Sequence, residues 1–325
     1  MMLAAKVAAI LEYQILLALG LDLLLGDPPW FPHPVKLIGR AALRLEPFFR
    51  RFFSPPRLAG TALAVVIISL SGLVTFLIIK GAGLIHPLAE DALSVLIIYT
   101  ALAIRDLIYH SGQVYRCLER GDLARARKRV SLMVGRDTDQ LDEKGVVRAA
   151  VESVAENIVD GVSAPLFFAV LAGPVGAMIY KAINTLDSTF GYKNECYREF
   201  GWASARIDDV ANYLPARLTA PLVPVAAFLL GLKPANSFRI MYRDRKKHPS
   251  PNSGWAEAAF AGALGVQLGG LNYYGGCPSS RPTLGDADTE LKLYHILRAN
   301  TLAITTAALA AALFICLRRL AVFLL

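Results

Sequence analysis

Charge is the scarcest ingredient of this sequence. Only 18% of its 325 residues are Asp, Glu, Lys or Arg, and 55% are hydrophobic. Soluble globular domains run at about 25% charged and about 45–50% apolar. That balance excludes a disordered or fibrous chain and points to a polytopic membrane protein. Cysteine is scarce as well. Cys117, Cys196, Cys277 and Cys316 have no CxxC spacing, which excludes a disulfide framework. The patterns GxxxxGK[ST], HExxH, GxSxG and the Rossmann glycine signature are absent, so a nucleotide, if used, is held without those loops. No internal repeat and no low-complexity tract occurs.

The apolar residues gather in runs. A membrane helix needs about 20 of them. Residues 59–79 meet that length without a charge, and residues 301–316 nearly do, ending at Arg318-Arg319. Residues 3–25 are long enough but contain Lys6, Glu12, Gln14 and Asp22. A signal peptide competes there, but the internal polar residues and the lack of a small-residue cleavage site before Gly26-Asp27-Pro28 favour a retained helix. Residues 84–104 form a weaker span, interrupted by His86, Glu90 and Asp91. Residues 162–180 contain Pro165 and Gly173-Pro174, and residues 214–232 contain Arg217, Pro221 and Pro224. Each is a kinked span or a re-entrant hairpin shielded by protein. The Gly- and Ala-rich run 256–271 reads as a close-packed helix near the membrane. The expectation is an all-α polytopic membrane protein with about four to six membrane helices, some of them Pro-broken and re-entrant. It is one helical domain, 1–325, with residues 105–161 as a helical cytosolic insert. Within that insert, residues 107–134 read as an amphipathic helical pair, with Asp122 capping the second helix.

The net charge of +8 sits between the runs, in segments 26–58, 105–161 and 233–254. Positive loops stay cytoplasmic, which places these segments on the cytosolic side of the cell membrane. A nucleic-acid partner is not expected, because no stacking aromatics accompany the basic residues.

Four polar clusters carry the chemistry. The first is Asp22, Gly26-Asp27-Pro28, His33-Pro34-Val35 and Gly39-Arg40. It is a turn-rich helix exit, but carboxylates inside a membrane run are functional suspects. The second is Gly135-Arg136-Asp137-Thr138, followed by a helix with Glu152, Glu156 and Asp160 at i, i+4 and i+8, and Asn157 beside them. Three like charges on one face repel, so a divalent metal or a cationic substrate belongs there, the alternative being a solvated face paired with Arg148. The third holds Lys181, Asn184, Asp187, Tyr192, Lys193 and Asn194. It runs on to Asp208-Asp209 and Arg217, where carboxylates are offered beside a phosphate fork unless Asp208 is a helix cap. The fourth is His248-Pro249-Ser250-Pro251-Asn252-Ser253, in which Asn252 or Ser253 can also cap a following helix. Downstream, Tyr273 and Tyr274 are suited to line a large flat ligand.

Taken in order, these motifs resemble the CobD/CbiB family of cobalamin biosynthesis, the adenosylcobinamide-phosphate synthases. Glu152-Ser-Val-Ala-Glu156-Asn157, Lys181-Ala-Ile-Asn184-Thr-Leu-Asp187, Asp208-Asp209-Val-Ala-Asn212-Tyr213-Leu-Pro215-Ala-Arg217 and His248-Pro249-Ser250-Pro251-Asn252 carry the resemblance, which runs almost end to end. It implies ATP-dependent amide formation between the carboxylate of adenosylcobyric acid and the amine of aminopropanol or its O-phosphate. Other membrane enzymes of the pathway and the bilayer are the expected partners. On this reading Glu152, Glu156, Asp160 and Asp187 hold Mg²⁺ and orient ATP, while Lys181, Arg217 and Arg136 bind phosphate. His248 or Asp208, with Asp209 beside it, takes the amine proton. Asp27, His33, Asn157, Asn184, Tyr192, Asn252, Tyr273 and Tyr274 contact substrate. The competing classes are an Mg-dependent membrane transferase of the prenyl or CDP-alcohol type, which lacks its usual paired motif here, and an AmpE-like membrane sensor or transporter.

Overall fold

The protein is described from a computed structural model over residues 2–28, 30, 33–191 and 195–324, with side chains from residue 10 onward. Fourteen α-helices and one β-hairpin follow one another among these residues. They are α1 (Met2–Leu25), α2 (Pro34–Phe52), α3 (Pro56–Ile85), α4 (Pro87–Ala101), α5 (Ile104–Glu119), α6 (Leu123–Val130), α7 (Glu143–Ile158), a π turn (Val159–Ser163) and α8 (Ala164–Phe190). Then come α9 (Trp202–Ala211), α10 (Tyr213–Thr219), α11 (Leu222–Leu229), α12 (Pro234–Asp244), α13 (Ser253–Leu264), β1 (Leu268–Tyr274), β2 (Cys277–Leu284) and α14 (Tyr294–Leu324). Four stretches are long and apolar enough to cross a membrane: Pro56–Ile85, Pro87–Glu119, Glu143–Phe190 and Tyr294–Leu324. The chain is an all-α polytopic membrane protein, as its composition demands. It divides into two compact units.

The first unit comprises Met1–Ala103, Ala164–Asn212 and Leu313–Leu325. Its core joins Ala42 and Phe49 of α2, Leu63 and Ile67 of α3, Leu186 and Phe190 of α8, and Phe200. The outer side of α3 leaves Leu70, Leu73, Val74 and Leu77 about half exposed, a surface that lipid rather than water satisfies. Several polar residues inside its apolar runs are partnered. Glu12 on α1, buried, pairs with Arg319 on α14 at 2.5 Å. Gln14 donates to Asp91 at 2.8 Å, and Lys80 meets Glu90 at 2.8 Å. The interruption at His86 is a helix junction, where the imidazole accepts the N–H of Leu88 and caps α4.

The Gly173-Pro174 break turns the chain back on itself. Gly173 sits at φ +62, ψ −151, a region open essentially to glycine alone. The rings of Phe168 and Tyr180 then stack with centroids 5.3 Å apart. Twelve residues of straight helix would separate them by about 18 Å. The Arg318 guanidinium bonds the Val170 carbonyl beside the break, satisfying an acceptor that the interrupted ladder leaves over.

The second unit comprises Ile104–Ser163 and Tyr213–Ala312. The amphipathic pair is present as α5 and α6, and Asp122 caps α6 by accepting the Arg125 N–H at 2.9 Å. The second Pro-broken run is two short helices, α10 and α11. Pro215 and Pro224 lie in their first turns, where the missing N–H has no helical partner to lose. The run 256–271 is only partly helical. It is α13 as far as Leu264, where Gly265 at φ +66 ends it, and strand from Leu268. The small residues of α13 serve close packing: a Cβ on Gly262 would collide with the backbone of Asn236 and Ser237 on α12. The hairpin pairs Leu268 with Leu284 and Tyr274 with Cys277. Its two turn residues, Gly275 and Gly276, both have positive φ, the requirement of a tight hairpin turn that follows strand twist.

Candidate functional site

In the second unit, α7 points Glu152 and Glu156 into a polar network. Glu152 is fully engaged: Oε2 lies 2.7 Å from the buried Arg136 guanidinium and Oε1 accepts the Gly269 N–H at 2.6 Å. Arg136 also donates to Asn272 at 2.5 Å. Arg148 donates to the carbonyls of Gly269 at 2.5 Å and Leu271 at 2.8 Å. The loop motif before α7 is thereby explained. Arg136 turns inward, while the Asp137 carboxylate accepts the N–H groups of Gly275 and Gly276 at 3.1 and 2.7 Å and clasps the hairpin tip. Asp160 lies in the π turn, whose i→i+5 bonding interrupts the α register. The expected line of three carboxylates is therefore not a uniform helical stripe.

Glu156 accepts the Ser253 hydroxyl at 3.2 Å. One turn along α13, the buried Glu257 has Oε1 3.4 Å from Nε2 of His248. Arg281 of β2 donates to the Tyr274 hydroxyl at 2.5 Å and stands 3.4 Å from the same His248 nitrogen. Burial, then the nearby carboxylates of Glu156 and Glu152, push the Glu257 carboxyl well above its usual range. Burial, then the Arg281 charge, lowers His248 to about 4. His248 is therefore neutral at neutral pH, and the surroundings of Glu257 favour its protonated form.

The tautomer of that imidazole is fixed by a device used three times. Nδ1 accepts the N–H two residues on in His33-Pro34-Val35 (3.3 Å), His86-Pro87-Leu88 (3.1 Å) and His248-Pro249-Ser250 (3.0 Å). Proline has no N–H, so the next residue supplies the first donor. The neutral ring then carries its proton on Nε2. In His248 that N–H faces Glu257, and in His33 it faces Asp27 at 3.0 Å. His248 therefore has no spare lone pair in its neutral form. In the same loop Ser250, rather than Asn252 or Ser253, supplies the turn acceptor, bonding the N–H groups of both at 3.2 and 3.3 Å. Asn252 accepts from Arg217 at 3.0 Å. Arg217 lies over the Tyr213 ring at 3.4 Å and near the Trp255 ring at 5.4 Å. Asn157 donates back to the Ser153 carbonyl at 2.9 Å.

The first unit carries the other cluster. Lys181, Asn184 and Asp187 lie along α8, with Lys181 buried. Asp208 is inside α9, not at its cap. It is held by a relay in which Tyr180 donates to Asn212 and Asn212 donates to Asp208, each at 2.9 Å. Burial, and next the Asp187 charge, raise the Asp208 carboxyl to about 7, against the pull of the Asn212 and Asn184 amides. Asp209 turns outward to Arg206 at 3.5 Å. Tyr192, Lys193 and Asn194 lie outside the described residues. Among the described residues, no three His, Cys, Asp or Glu side chains converge as a metal site.

Comparison with known proteins matches the family model described as "CobD/Cbib protein" over residues 15–303. The chain belongs to the CobD/CbiB family. It is 48% identical over 299 residues to the cobalamin biosynthesis protein CobD of Leptospira interrogans, covering 92% of this chain and 95% of that one. It is 52% identical over 272 residues to CobD of Geobacter metallireducens, covering 84% and 86%. It is 45% identical over 301 residues to the cobalamin biosynthesis protein CbiB of Salmonella typhimurium, covering 92% and 94%. No solved structure matches. As a CobD/CbiB protein the chain is a component of cobalamin biosynthesis, and its four apolar stretches make it a membrane protein of that pathway.

Sequence reasoning missed Glu257 and Arg281. Glu257 had a signal: it is the one charge between Gly254 and Gly265 in a run of small and apolar residues. Arg281 had none, because the strand that aims it went unread.

Proposed function

We propose that this CobD/CbiB chain joins the carboxylate of adenosylcobyric acid to the amine of aminopropanol or its O-phosphate, with consumption of ATP, at the cytosolic face of the cell membrane. The observation that carries this reading is the buried Asp208 of α9, raised to about 7 by burial and next by the charge of Asp187 on α8, the helix that also holds the buried Lys181. Neighbouring carboxylates attract a cation, and Mg²⁺ is characteristically held by one or two carboxylates with phosphate oxygens completing the shell. Glu152 fits that role poorly, since Arg136 and the Gly269 N–H already occupy its oxygens. We therefore assign Mg²⁺ to Asp187 and Asp208.

A carboxylate is a poor electrophile and needs activation by phosphoryl transfer; Mg²⁺ supplies charge neutralisation at the phosphate. Lys181 adds a positive charge on α8, the helix of Asp187; in the second unit, taken by itself, Arg217 is held flat by Tyr213 with a guanidinium fork suited to an anion. Arg136 is a structural counter-ion of Glu152 in this arrangement. His248 positions Glu257 instead of accepting the amine proton. Tyr273 and Tyr274, 39% and 36% exposed on the hairpin, are assigned to the corrin face.

Complementation tests the reading. A strain lacking the gene and carrying the D187N variant should grow on cobinamide and fail on cobyric acid, while the wild-type gene restores both. Growth of that variant strain on cobyric acid would overturn the assignment.

A further inference from the structure

One cavity lies apart from both clusters. It is an open pocket of about 420 Å³ lined by Leu230 and Leu232 after α11, Leu264 at the end of α13, and Leu297 on α14. Lys233 and Arg298 complete its wall. Its size falls in the range of small-molecule sites.

Three observations say what fits it. The first is depth. Helix α14 has 31 residues, or about 46 Å at the α-helical rise, whereas the hydrocarbon core is about 30 Å thick. Its first turns, with Leu297 and Arg298, thus belong at headgroup level, and Tyr294 there is the kind of aromatic that marks an interface. The second is charge. Arg298 lies over the Tyr294 ring at 4.7 Å and has no carboxylate in ion-pair range among the described residues. Lys233 has only the half-exposed Asp288, at 3.3 Å. The third is the surface beside the cavity. Phe228 and Leu229 of α11 are 71% and 60% exposed, which in water would be costly but against acyl chains is not.

We propose that this cavity is a binding site for one anionic glycerophospholipid, its phosphate between Lys233 and Arg298 and an acyl chain along Phe228 and Leu229. The arrangement joins two cations, an apolar wall and a membrane-interface position, as headgroup sites between helices do. The lipid would brace α11, α13 and α14 against one another inside the second unit.

The test is native mass spectrometry of the full-length protein released from nanodiscs of phosphatidylglycerol and phosphatidylcholine in equal amounts. The expected result is one retained phosphatidylglycerol per chain. Retention should fall about fivefold for each of K233Q and R298Q, following the worth of one basic residue near a lipid surface. The charge-preserving K233R/R298K variant should keep it. L264W, which fills the cavity and leaves both cations, should lose it. Glycerol phosphate added to the wild type should not displace the lipid. Equal retention of both lipids, retention unchanged in K233Q/R298Q or in L264W, or displacement by glycerol phosphate would each overturn the proposal.

Discussion

One cluster from each unit shows two ways of holding buried charge. In the second unit's Arg–Glu network charged groups meet their complements: Arg136 with Glu152, Arg148 with the β1 carbonyls, Asp137 with the hairpin turn. In the first unit's cluster the charge of Asp187 adds to burial in raising Asp208, and the relay from Tyr180 through Asn212 keeps Asp208 in place. A satisfied network specifies a shape, whereas a like-charge pair kept in position is a feature that folding alone does not favour. On the proposed reading the second unit's Arg–Glu network is scaffold and the first unit's Asp187 and Asp208 do the metal-phosphate work.

The strongest way to break this comparison is to remove the Asp pair. D187N and D208N should each lower ATP-dependent amide formation in membranes by at least about a hundredfold, the scale of losing a charge stabiliser in a reactive site, with thermal stability kept or raised. Next is E152A, which strands the buried Arg136 guanidinium. It should cost roughly 3 kcal/mol or more of stability, read as a lower thermal midpoint in detergent, and activity should fall in step with folding.

The third prediction concerns pH. Burial and the Arg281 charge lower His248 from its ordinary 6.5 to about 4. Its contribution is full above pH 6.5 and is lost as pH falls toward 4, because the unfolded state binds the proton first. Glu257 is raised, so its contribution is full at low pH and is lost as pH rises through its folded value. Thermal melts of the wild type should show an acid limb that H248Q flattens and an alkaline limb that E257Q flattens. Smaller still is G173A. The new Cβ meets nothing closer than Leu11 at 3.7 Å, so the cost is backbone strain alone, roughly 1–3 kcal/mol. The smallest effect belongs to D137A, which frees the exposed hairpin tip for about 1 kcal/mol and should appear as faster amide exchange at Gly275 and Gly276.

Much of this was legible in the residues. Helix caps are local chemistry, so Asp122 and the fold-back at Gly173-Pro174 could be read from a few positions. The clusters around Glu152, Asp187 and Asp208 stood out because charge is rare in this chain. The hairpin was not legible. Its strands contain Gly269, Gly270, Pro278 and Pro282, which weaken any alternating signal, and two strands with no third neighbour tolerate proline because their outer edges pair with nothing. Partner choice was hidden for the same reason. Glu152 reads as a metal ligand along its helix, and only contacts more than a hundred residues away reveal Gly269 as its occupant. Which group a carboxylate meets is a property of long-range packing.

The most direct measurement is the Mg²⁺ dependence of amide formation by the wild type, D187N and E156Q in membranes, at fixed ATP. The account predicts that D187N shifts the half-saturating Mg²⁺ concentration upward at least tenfold, while E156Q leaves it unchanged. A shift in E156Q with none in D187N would contradict it and return the metal to α7.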